Sequence, residues 1–138
     1  MKTVLATLVL GVLLVFLPSH SGHAEAASPW VGHWTIIHLD PSLPLGRMKI
    51  TQHGHHLFKL RIEDVQDHVF CPGAPVTAQG EGHLTDPVSM TADFHFRCLD
   101  TGTEGDLTLF FVLNLDNPNG IFEIAEIPGT GRVWTRPK

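Results

Sequence analysis

From about residue 30 onward, apolar and polar residues alternate with a period of two, in short runs cut by Gly, Pro and Asp/Asn clusters. That period predicts half-buried β-strands rather than helices. Eight are expected: Trp34–Leu39, Gly46–Gln52, Leu57–Glu63, Val76–His83, Val88–Cys98, Asp106–Leu115, Ile121–Glu126 and Arg132–Arg136. The segments between them, such as DPSLPLG, CPGAP, LDTGTEG, DNPNG and PGTG, are rich in turn formers. Short strands joined in succession predict an all-β fold, an eight-stranded antiparallel up-and-down barrel.

Alternation also assigns faces. Phe58, Leu60 and Ile62 share one face of their strand, opposed by Lys59, Arg61 and Glu63. Val88, Met90, Ala92, Phe94, Phe96 and Cys98 share another, opposed by Ser89, Thr91, Asp93, His95 and Arg97. The facing strand offers Val76, Ala78, Gly80 and Gly82. A turn pairing Leu84 with Val88 sets Ala78 opposite Phe94 and Gly80 opposite Ala92. Small residues opposite large ones suit a tight barrel interior, and equally suit room for a ligand. The remaining inward set is Trp34, Ile36, Met48, Ile50, Leu109, Phe111, Leu113, Phe122 and Ile124. Met48, Phe58, Met90, Phe94, Phe96, Phe111 and Phe122 are the candidates to line a small apolar pocket. One strand is apolar on both faces. Leu107, Leu109, Phe111, Leu113 and Leu115 lie on one, and Phe110 and Val112 on the other. Its outer face predicts a homo-oligomer contact or cover by the amino-terminal segment, against the plainer reading of an exposed pair.

The stretch His53-Gly54-His55-His56 is the candidate metal site, through His53 and His55, to which His33, His38, His68, His83 and His95 could add ligands. It lacks the spacing of a zinc motif. Face parity decides between site and turn. A two-residue loop sets Ile50 opposite Lys59, core against solvent, and is rejected. A three-residue loop His53-Gly54-His55 pairs Ile50 with Phe58 and Met48 with Leu60, with Gly54 at positive φ. The expected role is therefore a hairpin tip, with weak metal binding or pH sensing as the residual chemistry.

The first residues refine the picture. One lysine precedes an apolar run from Val4 to Leu17, then Pro18 and small residues including Ala24 and Ala26. This has the form of a secretory signal peptide, residues 1–26, with cleavage near Ala24 or Ala26. The run is shorter than the roughly 20 residues of a spanning helix. One domain, 27–138, is left, secreted or periplasmic, with no membrane in the mature form. A formal charge of −5 and the absence of a basic run argue against nucleic acid or an anionic membrane as partner. The two cysteines, Cys71 and Cys98, predict a disulfide in an exported chain. In the chain-entropy model it contributes about 3.5 kcal/mol.

Catalytic arrangements are missing. Ser89, Asp93 and His95 fall on one face of one strand, where nucleophile, base and orienting group cannot converge. Ser28 and Ser42 lie in loops without an elbow motif. Glu63/Asp64 and Glu123/Glu126 read as solvated turn and strand-edge charges. No glycine-rich loop opens a helix for phosphate. The expectation is no enzyme and no cofactor.

Gly32-His33-Trp34 opens the first strand, and Arg132-Val133-Trp134-Thr135-Arg136 closes the last. A Gly-x-Trp start and a basic residue in the final strand resemble the calycin superfamily of lipocalins, fatty-acid-binding proteins and avidins. The resemblance implies that Trp34 plugs one barrel end, covered by Arg136 or Arg132. Ser28-Pro29-Trp30-Val31-Gly32-His33-Trp34, Cys71-Pro72-Gly73-Ala74-Pro75, Cys98 and Val133-Trp134-Thr135-Arg136 resemble small exported bacterial lipocalin-like domains. That likeness implies fold and compartment and no activity. Exported bacterial metalloprotease inhibitors also use a short disulfide-bonded barrel opening on Gly-x-Trp. The function expected is a non-enzymatic binding module for a small apolar ligand. The alternatives are a protein-binding module such as a secreted protease inhibitor, with Ala27–Val31 projecting or Phe110/Val112 exposed, and weak histidine-based metal binding.

Overall fold

The computed structural model describes residues 27–37, 45–66, 70–124 and 131–137. The expected signal peptide, His38, Ser42, His68 and Glu126 lie outside them. The strands are β1 Gly32–Ile36, β2 Arg47–Gln52, β3 Leu57–Gln66, β4 Pro75–Asp86, β5 Ser89–Cys98, β6 Glu104–Leu113, β7 Gly120–Ile124 and β8 Arg132–Thr135. Each pairs antiparallel with the next, and β8 returns to β1, so an up-and-down barrel closes. Closure removes free sheet edges.

Alternation places the core as expected over most of its length. Trp34, Ile36, Met48, Ile50, Phe58, Leu60, Ile62, Met90, Phe94, Phe96 and Phe111 are buried. Full burial of such a side chain contributes about 1.5–3 kcal/mol. The small residues of β4 are packed against, not hollow. A Cβ at Gly80 would fall 2.7 Å from Phe94 Cδ1, and one at Gly82 2.6 Å from Met90 Sδ. Opposite Gly80 and Gly82 the large neighbours already fill the space.

Two registers differ from expectation by one rung pair. In β2–β3, Ile50 pairs with Leu60 and Met48 with Ile62, and Gln52–Phe58 is the last rung. The loop is longer than His53–His55, and His53 N–H donates to the Leu57 carbonyl at 3.0 Å. A two-residue slide keeps every side chain on its face, so parity could not detect it. Gly54 is not among the described glycines at positive φ, which are Gly32, Gly73 and Gly102. It is constrained by packing instead, since a Cβ there would lie 3.3 Å from Leu57 Cβ. In β4–β5, Ala78 faces Phe96 and Gly80 faces Phe94, because a bulge between Leu84 and Asp86 sets Asp86 opposite Ser89.

In β7 the assigned face is inverted. Ile121 and Glu123 are buried, while Phe122 and Ile124 are exposed. Phe122 therefore does not line the interior, and Glu123 is not a solvated edge charge. Leu115 lies past the end of β6 and is exposed as well.

The two ends differ. The tight end gathers residues 27–31, the β2–β3, β4–β5 and β6–β7 turns and the end of β8. The opposite end holds the β5–β6 turn and the disulfide Cys71–Cys98, whose Cα atoms are 5.4 Å apart. A disulfide fits an extracellular or periplasmic compartment.

Candidate functional site

Residues 27–31 fold back across the tight end instead of projecting from it. Trp30 is buried, and its carbonyl accepts a 3.1 Å hydrogen bond from Trp34 Nε1. The Arg136 guanidinium lies over the Trp34 ring, Cζ 4.4 Å from the centroid. It donates from Nη1 to the Val31 carbonyl at 3.1 Å and from Nη2 to the Pro29 carbonyl at 2.6 Å. Gly32 makes this possible: its φ is +144°, and a Cβ would sit 2.5 Å from Arg136 Nη1. The glycine of Gly-x-Trp is thus the space in which the arginine lies.

Arg132 does not touch this cluster. It sits with Trp134 toward the disulfide end, where Nη1 donates to Glu123 Oε1 at 2.6 Å. Trp134 Nε1 donates to the other oxygen, Oε2, at 2.9 Å. Glu123, 3% exposed, has both carboxylate oxygens engaged. Its interior place was not readable from β7, because its partners lie in β8 across the barrel wall.

Two recesses are relevant to binding. One, about 40 Å³, lies inside the barrel near the disulfide end, bounded by Phe70, Phe94, Phe96, Arg132 and Trp134 among others. The other, about 420 Å³, lies at the tight end between two turns. Its apolar surface comes from Pro29, Trp30, Phe58, Leu84 and Pro87, and its polar margin from Ser28, Gln52, His55, His56, Thr85 and Asp86. The turns that flank it are joined, since Leu84 N–H donates to the His56 carbonyl at 3.2 Å. Asp86 is held in an Asx turn by Val88 N–H at 2.8 Å, which pulls its carboxyl below the usual carboxylate range. Trp30 Nε1 is buried without an acceptor among the described residues. Buried polar groups normally have a partner, so this donor calls for one.

Of the expected pocket residues, Phe58 borders the larger recess, and Phe94 and Phe96 border the smaller. Met48, Met90 and Phe111 are packed in the core. Trp30, Leu84 and Pro87 were not anticipated. The signal for Trp30 was its place two residues before Gly32, in the segment that Arg136 staples down.

The histidine tip brings His55 and His56 into a stack, ring centroids 4.6 Å apart. Among the described residues, no three His, Cys, Asp or Glu side chains form a group able to hold a metal ion. On the outer wall of β5, Asp93 accepts from Thr108 Oγ1 at 2.6 Å, and His95 Nδ1 meets Asp106 Oδ1 at 2.8 Å. The Asp106 hydrogen bond raises the His95 pKa above its ordinary value. Ser89, Asp93 and His95 point to solvent, and their polar contacts are made with β6 or the neighbouring turn.

No protein-family model, curated protein or solved structure matches this chain.

Proposed function

We propose that this protein is an exported, non-enzymatic binding module of calycin type, and that its ligand is a small, largely apolar molecule seated at the tight end of the barrel. The observation that carries the reading is volume combined with an apolar floor, since a recess of about 460 Å³ on the outer wall is lined by Lys49, Lys59, Arg61 and Glu81 instead. The recess beside Trp30 offers about 420 Å³, within the roughly 300–1,000 Å³ usual for small-molecule sites. The interior recess near Trp134 offers about 40 Å³. The recess beside Trp30 pairs an apolar floor with a few polar groups at its margin, the composition such sites use. Signal-like residues 1–26 and the disulfide support export, and the Gly32/Trp34/Arg136 cluster supports the calycin likeness.

The test is native mass spectrometry of the mature exported protein, followed by titration with the apolar fluorophore 1-anilinonaphthalene-8-sulfonate. The expected result is one saturable site per chain, lost in Thr85→Trp, which fills the recess from its margin without touching the core. Equal binding by Thr85→Trp, or no saturable binding, would overturn the proposal.

The alternative of a protease inhibitor acting through Ala27–Val31 draws less support, because Trp30 is tucked into the barrel end and Arg136 ties down its neighbours. Weak metal binding by His53 and His55 remains a separate proposal. Equilibrium dialysis with zinc and copper should show stoichiometry that falls in His53→Ala/His55→Ala; unchanged stoichiometry ends it.

A further inference from the structure

The outer wall of the barrel is divided. Across β2 to β5 it carries Lys49, Lys59, Arg61, Glu81, Asp93 and Arg97, so every strand there presents charge to solvent. Over β7, β8 and the Phe110–Val112 end of β6 it does not, while the other end of β6 carries Glu104 and Asp106. Val112 pairs with Phe122, Phe122 with Val133, and Ile37 N–H donates to the Val133 carbonyl. These four residues form one row on the outer surface. Phe110 opposite Ile124 forms the next. Ile37, Phe110, Phe122 and Ile124 are 56, 40, 41 and 52% exposed.

We infer that this strip is the contact between two copies of this chain. Two physical arguments select a second copy as the occupant. The first is area. With side chains of roughly 150–250 Å² each, these exposures amount to an apolar patch on the order of 400 Å². That is the size of the largest apolar patch a typical monomer carries, which is often a functional surface. It is also the right scale for the apolar centre of an interface burying about 800 Å² per partner, once a polar rim is added. The second is self-complementarity. A twofold contact sets a patch against its own copy, so a patch of one sign opposes like charges and an uncharged one opposes none. The six residues of the strip carry none. The wall from β2 to β3, with Lys49, Lys59 and Arg61 outward, would oppose cation to cation in the same arrangement. An anionic membrane is a poor occupant, since the strip has no basic residue and the chain's formal charge is −5.

The association rests on observations separate from the tight-end recess, and the two stand or fall independently. The experiment is sedimentation velocity of the mature, disulfide-bonded protein over a concentration series, with Phe122→Asp and Phe110→Lys as variants and Lys59→Glu as control. All three positions are solvent-exposed, and circular dichroism and thermal unfolding report whether each variant keeps the barrel. The expected result is a dimer for the parent and for Lys59→Glu. Each strip variant should raise the dissociation constant by at least about 30-fold, as loss of a central interface anchor does. A parent that stays monomeric throughout the series overturns the inference. So does a dimer that survives both strip substitutions, or a strip that captures a different protein while the parent remains monomeric.

Discussion

Trp34 and Trp134 both stand inside the barrel wall, and each meets an arginine cluster, yet they are held by opposite means. Trp34 gives its indole N–H to a backbone carbonyl, and the arginine above it is satisfied by two more carbonyls. Only Gly32 and Arg136 are chosen by sequence there, because every acceptor is main chain. Trp134 gives its N–H to a buried carboxylate that Arg132 also engages. The contacts to Glu123 are made by side chains, so both depend on that one carboxylate. Neutral carbonyls tolerate exposure to water when a donor leaves. A buried carboxylate or guanidinium that loses its partner does not.

The comparison can be broken most strongly at Glu123. Glu123→Ala removes the carboxylate that the Trp134 N–H and Arg132 share, and should cost about 3–5 kcal/mol in urea unfolding. A loss under 1 kcal/mol would show that the charged cluster adds nothing over packing. Next comes the disulfide at the same end. Cys71→Ser with Cys98→Ser should cost about 3.5 kcal/mol, read from urea unfolding with a steeper slope, because the unlinked denatured chain exposes more surface. At the tight end the effects should be smaller. Arg136→Ala removes the guanidinium contact and should cost about 1–2 kcal/mol; Gly32→Ala displaces the same guanidinium and adds the strain of a side chain at φ +144°, so it should cost more. Their double variant should cost less than the sum, since they share that contact. Additive losses would separate Gly32 from Arg136.

The smallest effect belongs to the outer wall, where His95 and Asp106 meet in water. Asp106 raises the folded His95 pKa. The associated stabilisation is therefore fully present below the unfolded value near 6.5 and fades as pH rises through the raised folded value. Proton NMR titration of the imidazole should show that elevation, and Asp106→Asn should bring it back toward 6.5. An unchanged titration in Asp106→Asn would shift the cause to Glu104.

Alternation made strand number, order of faces and much of the core legible. It could not fix the slide of one strand on the next, because a shift of two residues conserves every face. Ile50 opposite Leu60 is decided by the length of the His53–His56 turn, and Gly80 opposite Phe94 by the bulge at Leu84. In β7 the pattern was ambiguous from the start. Ile121, Phe122 and Ile124 are all apolar, and only Glu123 could tip the choice. Ordinary solvation cost argues that a glutamate faces water. The structure reverses it because Arg132 and Trp134, nine and eleven residues away, meet Glu123 from β8. The tight-end recess was hidden for a similar reason. Phe58, Leu84 and Trp30 are far apart in sequence and meet only once Arg136 has drawn residues 29–31 onto the barrel.

The seam between β1 and β8 is the shortest junction in the ring, with Thr35–Thr135 and Ile36–Trp134 as its rungs. It joins positions 100 residues apart. Loop closure over that span is the least favourable in the fold, and pairing so distant in sequence slows folding. Until residues 132–136 are in place, the molecule is a curved sheet whose first strand is a bare edge. Trp34 then has no guanidinium over it, and Ile36 has no opposite rung. The amino-terminal strand, first to be made, is thus the last to be secured, and it spends the whole of assembly as the surface most open to mispairing with another chain.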